Sequence, residues 1–218
     1  MEKSKEEAVK GKRNILAAGL ILALSASVWG CQSREKGAGE ENVPEFVLTY
    51  AENQAEDYPT TQGAYRFAEL VKQRTGGKVE ILINAEGILG DERTVIEQLQ
   101  FGGVDFARVS LSPLSEFVPE LNVLQLPYLY TGAEHMWKVL EGEIGDSFLG
   151  SFEGSGLVAL SWYDAGARNF YNSVRPIEKL EDMKGLKMRG PNNIYISMFD
   201  CLGASGTTMD WNEVYTAL

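Results

Sequence analysis

The feature that most limits the fold of this chain is a regular alternation of strand-like and helix-like segments. Phe46–Ala51 and Lys78–Asn84 have the short apolar pattern of strands, and Val104–Ser110 is a third such segment. A helical pattern over Gln62–Arg74 separates the first two, and a helix that Asp91 can cap separates the second from the third. Alternation of this kind is typical of a parallel or mixed sheet covered by helices, so the sequence predicts an α/β fold.

The next part of the chain predicts a longer connection before another strand. Asn122–Tyr130 is apolar but contains Pro127, and we interpret it as a buried segment that crosses the fold. Helices are predicted over His135–Leu140 and Ile144–Phe152, and Gly156–Tyr163 has the composition of a fourth strand. These segments complete a first α/β unit.

A second α/β unit is predicted to start after a boundary near Asp164–Gly166. Beyond this boundary, Ala167–Ser173 and Leu186–Arg189 are apolar enough to open a new unit. Helical patterns follow from Asn193 and from Asn212, and Asn192 or Asn193 is a candidate cap for the first of them.

The N-terminal region has the pattern of a secretory signal. Basic residues within Lys10–Arg13 precede the mostly apolar run Ile15–Val28, which is too short for a comfortable membrane span. The ending Val-Trp-Gly-Cys resembles a lipobox, in which Cys31 is lipidated and becomes the first residue of the mature protein; Trp29 departs from the small residue usual there. An uncleaved anchor, or a plain signal with an incidental cysteine, is the alternative. The polar segment that follows is predicted to be a flexible tether.

The charge of the chain excludes one class of partner. The formal net charge is −11, which is wrong for a protein that binds nucleic acid phosphates. An anionic ligand must therefore be attracted locally, by a few arginines inside a cleft. The chain has two cysteines; with Cys31 lipidated, Cys201 is predicted to be a small core residue, so neither a disulfide framework nor a cysteine metal site is expected.

Arg189 is the first candidate for such an arginine. The stretch Leu180–Asn193 reads LEDMKGLKMRGPNN, and its predicted strand ends at Arg189, before Gly190-Pro191. Ligands of open α/β sheets sit at strand ends. A guanidinium group there can hold a carboxylate by two parallel hydrogen bonds. The alternative is an ordinary surface arginine on a strand edge.

Several motifs together resemble one family. The run RPIEKLEDMKGLKMRGPNN, followed by LGASGTTMDWNEVYTAL, resembles the signature of the solute-binding subunits of TRAP (tripartite ATP-independent periplasmic) transporters, the DctP-type proteins. The upstream segments RTGGKVEI, GILGDERTVIEQLQFGGVDFA and LNVLQLPYLY agree in order, so the similarity extends from about Phe46 to Leu218. The resemblance implies a periplasmic-binding-protein-like fold of two α/β lobes with mixed sheets. It also implies a protein that closes on a small organic acid, such as a C4-dicarboxylate or a sugar acid, and delivers it to an ion-gradient-driven membrane permease.

The resemblance also implies which residues contact the ligand. Arg189 occupies the family's K-x-R-x-P segment, where the arginine pairs with the ligand carboxylate and where valine is more usual than Gly190. Arg168 matches the arginine of a Gly-x-Arg turn; a salt bridge with Asp164 is the alternative. Two positions of the first lobe fall near Tyr58 to Thr60 and near Arg108 or Ser110. Trp211, which precedes a helix facing the cleft, is the one aromatic residue predicted to line the pocket rather than the core. The predicted ligand-binding set is Arg189, Arg168, Arg108, Trp211, Tyr58 and Thr60.

The family continues beyond the position matched by Leu218, so the chain is expected to be a fragment with an incomplete second lobe. The predicted division is a signal peptide over residues 1–30, a tether over 31–44, a first lobe over 45–164 and a partial second lobe over 165–218. The protein is predicted to be extracytoplasmic and lipid-anchored, with the ligand, the TRAP permease subunits and, through the lipid, the membrane as partners.

Catalysis is not expected. The chain has one histidine, His135, on a helix with no nucleophile or base pattern near it, and no phosphate loop, dinucleotide fingerprint or metal-ligand spacing is found. No cofactor or metal is therefore predicted. Two other functions remain open: a sensor module that binds the same acids and signals to a membrane partner, and, as a weaker alternative, a sugar-acid enzyme.

Overall fold

The structure, a computed structural model, describes residues 43–218, and these residues cluster as one compact unit. The predicted signal peptide, Cys31 and nearly all of the predicted tether lie outside the described residues. Between residues 43 and 218, no helix has the length and apolar character needed to cross a membrane. The described part contains two parallel sheets, of three and two strands.

The first sheet confirms the predicted alternation. Its strand order is β2-β1-β3, with both pairings parallel, and β1 and β2 pair along their whole length from Phe46 opposite Val79 to Ala51 opposite Asn84. The elements are β1 Phe46–Ala51, α1 Pro59–Arg74, β2 Val79–Asn84, α2 Glu92–Phe101 and β3 Phe106–Ala107. Asp91 caps α2 as predicted, because its carboxylate accepts a hydrogen bond of 2.8 Å from the backbone N–H of Thr94.

β3 is shorter than the predicted strand Val104–Ser110. Before it, the Asp105 carboxylate accepts the backbone N–H of Thr49 at 2.7 Å, so a side chain occupies a donor of β1 that a longer strand would use. After it, the N–H of Ser110 donates to Glu92 at 2.6 Å instead of to a strand. The two carboxylates therefore limit the ladder to two residues.

Short helices connect the two sheets and pack with α2 in the largest core cluster. They are α3 Leu111–Leu114, a 3-10 helix Pro119–Gln125, α4 Ala133–Leu140 and α5 Glu143–Gly150. The last two confirm the predicted helices to within two residues at each end. Buried residues of this cluster include Ile96, Val118 and Leu121.

Within the predicted crossing segment Asn122–Tyr130, only Leu124 and Gln125, both in its first half, are buried. In its second half, Tyr128 is 99% exposed. The N–H of Leu129 donates to the carbonyl of Leu126 at 3.3 Å, and Tyr128 has a φ of 60°. This is the geometry of a turn with proline second and a positive φ third, and it directs the end of the segment outward. The prediction of burial was wrong for this half.

The second sheet contains the predicted strand with Arg189. Its elements are a 3-10 helix Leu180–Met183, β4 Lys187–Gly190, α6 Asn193–Cys201, β5 Ser205–Thr208 and α7 Trp211–Ala217. Met183, Leu186, Met188 and Phe199 form its core. Cys201 is exposed, so its predicted core position is wrong: two helical residues after the buried Phe199, it lies on the other side of α6.

The predicted strand Gly156–Tyr163 is not formed, and Ala167–Ser173 contains no regular element. Leu157, Ala159 and Trp162 nevertheless pack against the largest core cluster, whereas Val158 and Leu160 are exposed. The side chains of this segment therefore alternate between core and solvent, as those of a strand do. A strand also needs a neighbouring backbone to pair with, and no pairing of this segment is found within the described residues. The predicted division into lobes stays a prediction.

Candidate ligand-binding cleft

A single large cleft brings the predicted site residues together. Its volume is about 2740 Å³, several times that of a typical small-molecule pocket. Residues from both sheets line it, and the lining includes all six predicted ligand-binding residues: Tyr58, Thr60, Arg108, Arg168, Arg189 and Trp211. The cleft is so large that its lining alone does not locate a ligand. The position of a ligand is therefore inferred from the distribution of charge and of unused hydrogen-bond donors.

Arg189 is held in a fixed orientation but keeps free donors. It is the third residue of β4, and its Nε donates to the carbonyl of Met209 at 2.9 Å, while its Nη2 donates to the same oxygen. A guanidinium group has five N–H donors, so three remain. The ion pairs found among the described residues do not include Arg189. A half-buried guanidinium group with free donors and no carboxylate partner is suited to an anionic ligand.

Arg168 lies close enough to Arg189 for its charge to affect the pKa of Arg189. Burial, and then the positive charge of Arg168, lowers the pKa of Arg189, while Glu92 and Asp210 act in the opposite direction. The guanidinium carbon of Arg168 lies 5.1 Å from the centre of the Tyr195 ring, a cation–π contact. The predicted alternative, a salt bridge with Asp164, is not formed. The carboxylate of Asp164 instead accepts the N–H of Gly166 at 2.7 Å.

Arg108 has a different environment from the other two arginines. Its Nε donates to Glu52 at 2.9 Å, its Nη2 donates to Glu52 and Asn53, and its Nη1 lies 3.5 Å from Glu92. The side chain of Glu52 is 0% exposed and that of Arg108 is 10% exposed. Burial alone would lower the pKa of Arg108, but the hydrogen bonds and charge of Glu52, and then Glu92, raise it. That Arg108 contacts a ligand stays a prediction.

The remaining predicted residues have distinct surroundings. Thr60 is buried, and its hydroxyl group lies 3.4 Å from Glu52, so it belongs to the Arg108 network. Tyr58 precedes α1 at its N-cap. Trp211, the first residue of α7, is 48% exposed and lines the cleft from the side of the second sheet.

Glu52 and Glu92 were missed by the sequence analysis. Glu52 directly follows β1, and Glu92 starts α2. The position of Glu52 after a strand end was a usable signal, because such positions face ligand sites in α/β sheets. Nothing local indicated that either carboxylate pairs with Arg108, since the partners are 56 and 16 residues apart in the chain.

A buried amide bridge connects the segment after Arg189 to the connecting helices. The Asn192 side chain accepts the N–H of Ile194 at 3.1 Å, which confirms the predicted cap of α6. Its Nδ2 donates to Oε1 of Gln125 at 2.9 Å, and the hydroxyl group of Ser112 donates to the same oxygen. Both amide groups are buried. This bridge therefore ties the strand end that contains Arg189 to the region around the first sheet.

Gly190 allows α6 to approach β4 closely. A Cβ atom at Gly190 would lie 2.8 Å from the Cβ of Tyr195 and 3.2 Å from the Phe199 ring. We expect Gly190→Val, which restores the residue more usual in the resembling family, to lower the free energy of unfolding by about 1–3 kcal/mol through overpacking. Urea unfolding measures this change. Gly150→Val is a control in open space, although it adds a β-branched residue to a helix end; equal effects of the two variants would contradict the close packing.

The comparisons with known proteins identify the family. The model of bacterial extracellular solute-binding protein, family 7 (DctP) matches residues 50–218. The chain belongs to this family. The family is extracytoplasmic and consists of solute-binding proteins, as the resemblance implied.

Individual relatives agree with this assignment. A solute-binding protein of Chromohalobacter salexigens is 38% identical over 74% of this chain and 48% of its own length. The C4-dicarboxylate-binding periplasmic protein DctP of Rhodobacter capsulatus is 30% identical over 79% of this chain and 52% of its own. The crystal structure of a TRAP periplasmic solute-binding protein from Sulfitobacter sp. NAS-14.1 with bound β-D-galacturonate is 38% identical, with a TM-score of 0.76 over 78% of this chain and 57% of that chain. The predicted fold class is confirmed, and the chain spans about half the length of the curated relatives it matches.

Proposed function

We propose that this protein is an extracytoplasmic solute-binding protein that captures a small organic acid, a C4-dicarboxylate or a sugar acid, and delivers it to an ion-gradient-driven TRAP membrane permease. The observation that carries the proposal is the pair Arg168 and Arg189. Both line the cleft, neither has a carboxylate partner among the described residues, and the positive charge of Arg168 contributes to lowering the pKa of Arg189. The relatives that bind galacturonate and C4-dicarboxylates, as their names state, support an acid as the ligand.

The ligand carboxylate occupies the site of these two arginines in our proposal. A carboxylate removed from water must have its charge neutralised and its lone pairs satisfied. The free donors of Arg189 can do both, and arginine remains charged at any working pH. A ligand that also contacts residues near the first sheet stabilises the closed cleft, because it binds that state better than the open one. This mechanism is binding and release, without chemical change of the ligand.

We also propose that Cys31 is lipidated, so that the binding unit is held at the outer face of the membrane. The basic and apolar segment before Cys31 and the polar segment after it support this anchor. A lipid tether keeps the binding protein near its permease, which raises the effective concentration of the two partners for each other.

Calorimetry with matched ligands tests the proposal. We expect full-length protein to bind D-galacturonate, D-glucuronate or succinate, and to bind D-galactose at least about 100-fold more weakly than D-galacturonate, because galactose leaves the arginines without a counter-charge. The two sugars differ only at the carboxylate, so galactose is a matched control. Equal affinities for galactose and galacturonate, or chemical turnover of a bound acid, would contradict the proposed function.

A further inference from the structure

Arg168 lies on a segment that has no regular secondary structure to position it. Ala167–Ser173 forms no helix or strand, and no backbone hydrogen bond of Arg168 is found among the described residues. The ion pairs found within residues 43–218 do not include its guanidinium group. An arginine side chain has a large rotamer entropy, and the like charge of Arg189 acts on this one. Contacts other than backbone pairing must therefore hold Arg168 in the cleft.

Two aromatic residues of α6 supply such contacts. The guanidinium carbon of Arg168 lies 5.1 Å from the centre of the Tyr195 ring. Two residues further along the chain, the Phe170 ring lies 5.6 Å from the Phe199 ring in an edge-to-face arrangement. Tyr195 and Phe199 are four residues apart in α6, so they lie on one face of the helix. We call these two residues the aromatic platform, and the segment that contains Arg168 rests on it.

Gly190 allows the aromatic platform to lie close to β4. The two residues that a Cβ atom at Gly190 would approach most closely are Tyr195, at 2.8 Å, and Phe199, at 3.2 Å. Gly190 is not among the glycines with a positive φ, so the space that a side chain would occupy is the reason for glycine here. Because Gly190 directly follows Arg189, the platform contacts the strand that contains one arginine and the segment that contains the other.

An aromatic ring positions a cation without neutralising it. The ring of Tyr195 attracts the guanidinium group of Arg168 through its quadrupole, whereas a carboxylate in the same place would compete with an anionic ligand. Arg189 is held in a comparable way, because its partner is the uncharged carbonyl of Met209. Both arginines therefore keep their charge for a ligand, unlike Arg108, which is held by carboxylates.

Building on the proposed function, we propose that the aromatic platform holds Arg168 beside Arg189 before the ligand arrives, and that Tyr195 is a positioning residue for binding of the acid. Tyr195 acts through Arg168 and does not itself contact the ligand. A guanidinium group that is already in place loses less conformational freedom when the ligand binds, and this pre-organisation raises the affinity.

Calorimetry on full-length protein tests the role of Tyr195, with D-galacturonate, D-glucuronate or succinate, whichever binds the unchanged protein most tightly. Tyr195→Leu keeps an apolar side chain but removes the ring, and we expect it to weaken binding about three- to tenfold. Tyr195→Phe keeps the ring and should bind within about twofold of the unchanged protein. Tyr65→Leu is a matched control, because it makes the same change at an exposed helical position outside the cleft lining.

Two further measurements distinguish positioning from a general structural effect. In an Arg168→Ala background, Tyr195→Leu should change the affinity by less than about twofold, because the group through which Tyr195 acts is already absent. Phenylalanines with one, two or three ring fluorines at position 195 keep the ring in place but weaken its attraction for a cation. We expect the affinity to fall with each added fluorine when Arg168 is present and to stay constant in Arg168→Ala.

The outcomes separate this inference from the proposed function. Binding of no organic acid by the unchanged protein overturns the proposed function itself. Unchanged affinity in a folded Tyr195→Leu protein overturns only the positioning role. A loss in Tyr195→Phe as large as that in Tyr195→Leu also overturns it, because the hydroxyl group rather than the ring would then be needed. If Tyr195→Leu fails to fold, the fluorinated series still decides, and an affinity that is independent of the number of fluorines overturns the inference.

Discussion

Replacing Arg189 by alanine is expected to weaken binding of the organic acid by at least about 100-fold in full-length protein. Hydrogen bonds to a charged group contribute about 1.5–3 kcal/mol each, and the loss of two of them corresponds to at least two orders of magnitude in the dissociation constant. Calorimetry with the tightest ligand found for the unchanged protein measures the change. Arg189→Lys should recover only part of the affinity, because a lysine supplies the charge without the planar pair of donors.

The stability of the Arg189→Ala protein separates binding from folding. Arg189 donates twice to the carbonyl of Met209 and has no carboxylate partner within the described residues, so its removal leaves no buried charge unpaired. We expect the melting temperature of the ligand-free protein to change by only a few degrees. Arg66→Ala is the control, because Arg66 lies on the exposed face of α1 in an ion pair with Glu69. Unchanged affinity in Arg189→Ala would remove this residue from the site.

For Arg108→Ala we expect the opposite of Arg189→Ala: a large loss of stability in the ligand-free protein. Replacement of Arg108 by alanine leaves the carboxylate of Glu52, which is 0% exposed, without its partner. Breaking a buried ion pair by removing one member costs about 3–5 kcal/mol, which is a large part of the stability of a typical domain. Urea unfolding of the ligand-free protein measures this loss. We expect the largest fall in stability of all the variants considered.

Two further variants make the Arg108 prediction specific. Arg93→Ala breaks an exposed ion pair with Glu116 and should cost no more than about 1 kcal/mol. The double variant Glu52→Leu, Arg108→Met removes both buried charges and should recover much of the stability lost in Arg108→Ala. If Arg108→Ala instead unfolded like the unchanged protein and lost ligand affinity, Arg108 would be a ligand-binding residue, as the family resemblance implied.

These two predictions differ because of information that the sequence does not contain. Arg189 stands at the end of a predicted strand and Arg108 two residues before the end of another, and the resemblance implied a ligand contact for each. Glu52 lies 56 residues from Arg108 in the chain but within hydrogen-bond distance in the fold. Whether an arginine is free to bind a ligand therefore depends on long-range neighbours, which a local pattern cannot reveal.

The same difference between local pattern and long-range contacts explains why Gly156–Tyr163 does not form the predicted strand. Its apolar composition predicted a strand, and the alternate residues Leu157 and Ala159 pack against the core. The strand itself is absent among the described elements, because pairing requires a second backbone at the correct distance. Cys201 shows a related limit: an apolar helix such as α6 indicates burial on average, but only packing decides which side faces inward.

The sequence by itself determined the α/β class, the limits of β1, the cap Asp91, a cap at Asn192 or Asn193, and the family, because these depend on local periodicity, capping side chains and short motifs. Only the tertiary structure decided which arginines have carboxylate partners. Arg108 is paired with Glu52 and Glu92, whereas Arg168 and Arg189 lie together in the cleft with no such partner among the described residues. The physical reason is that electrostatic pairing depends on distance in space and on burial, and both are properties of the folded chain.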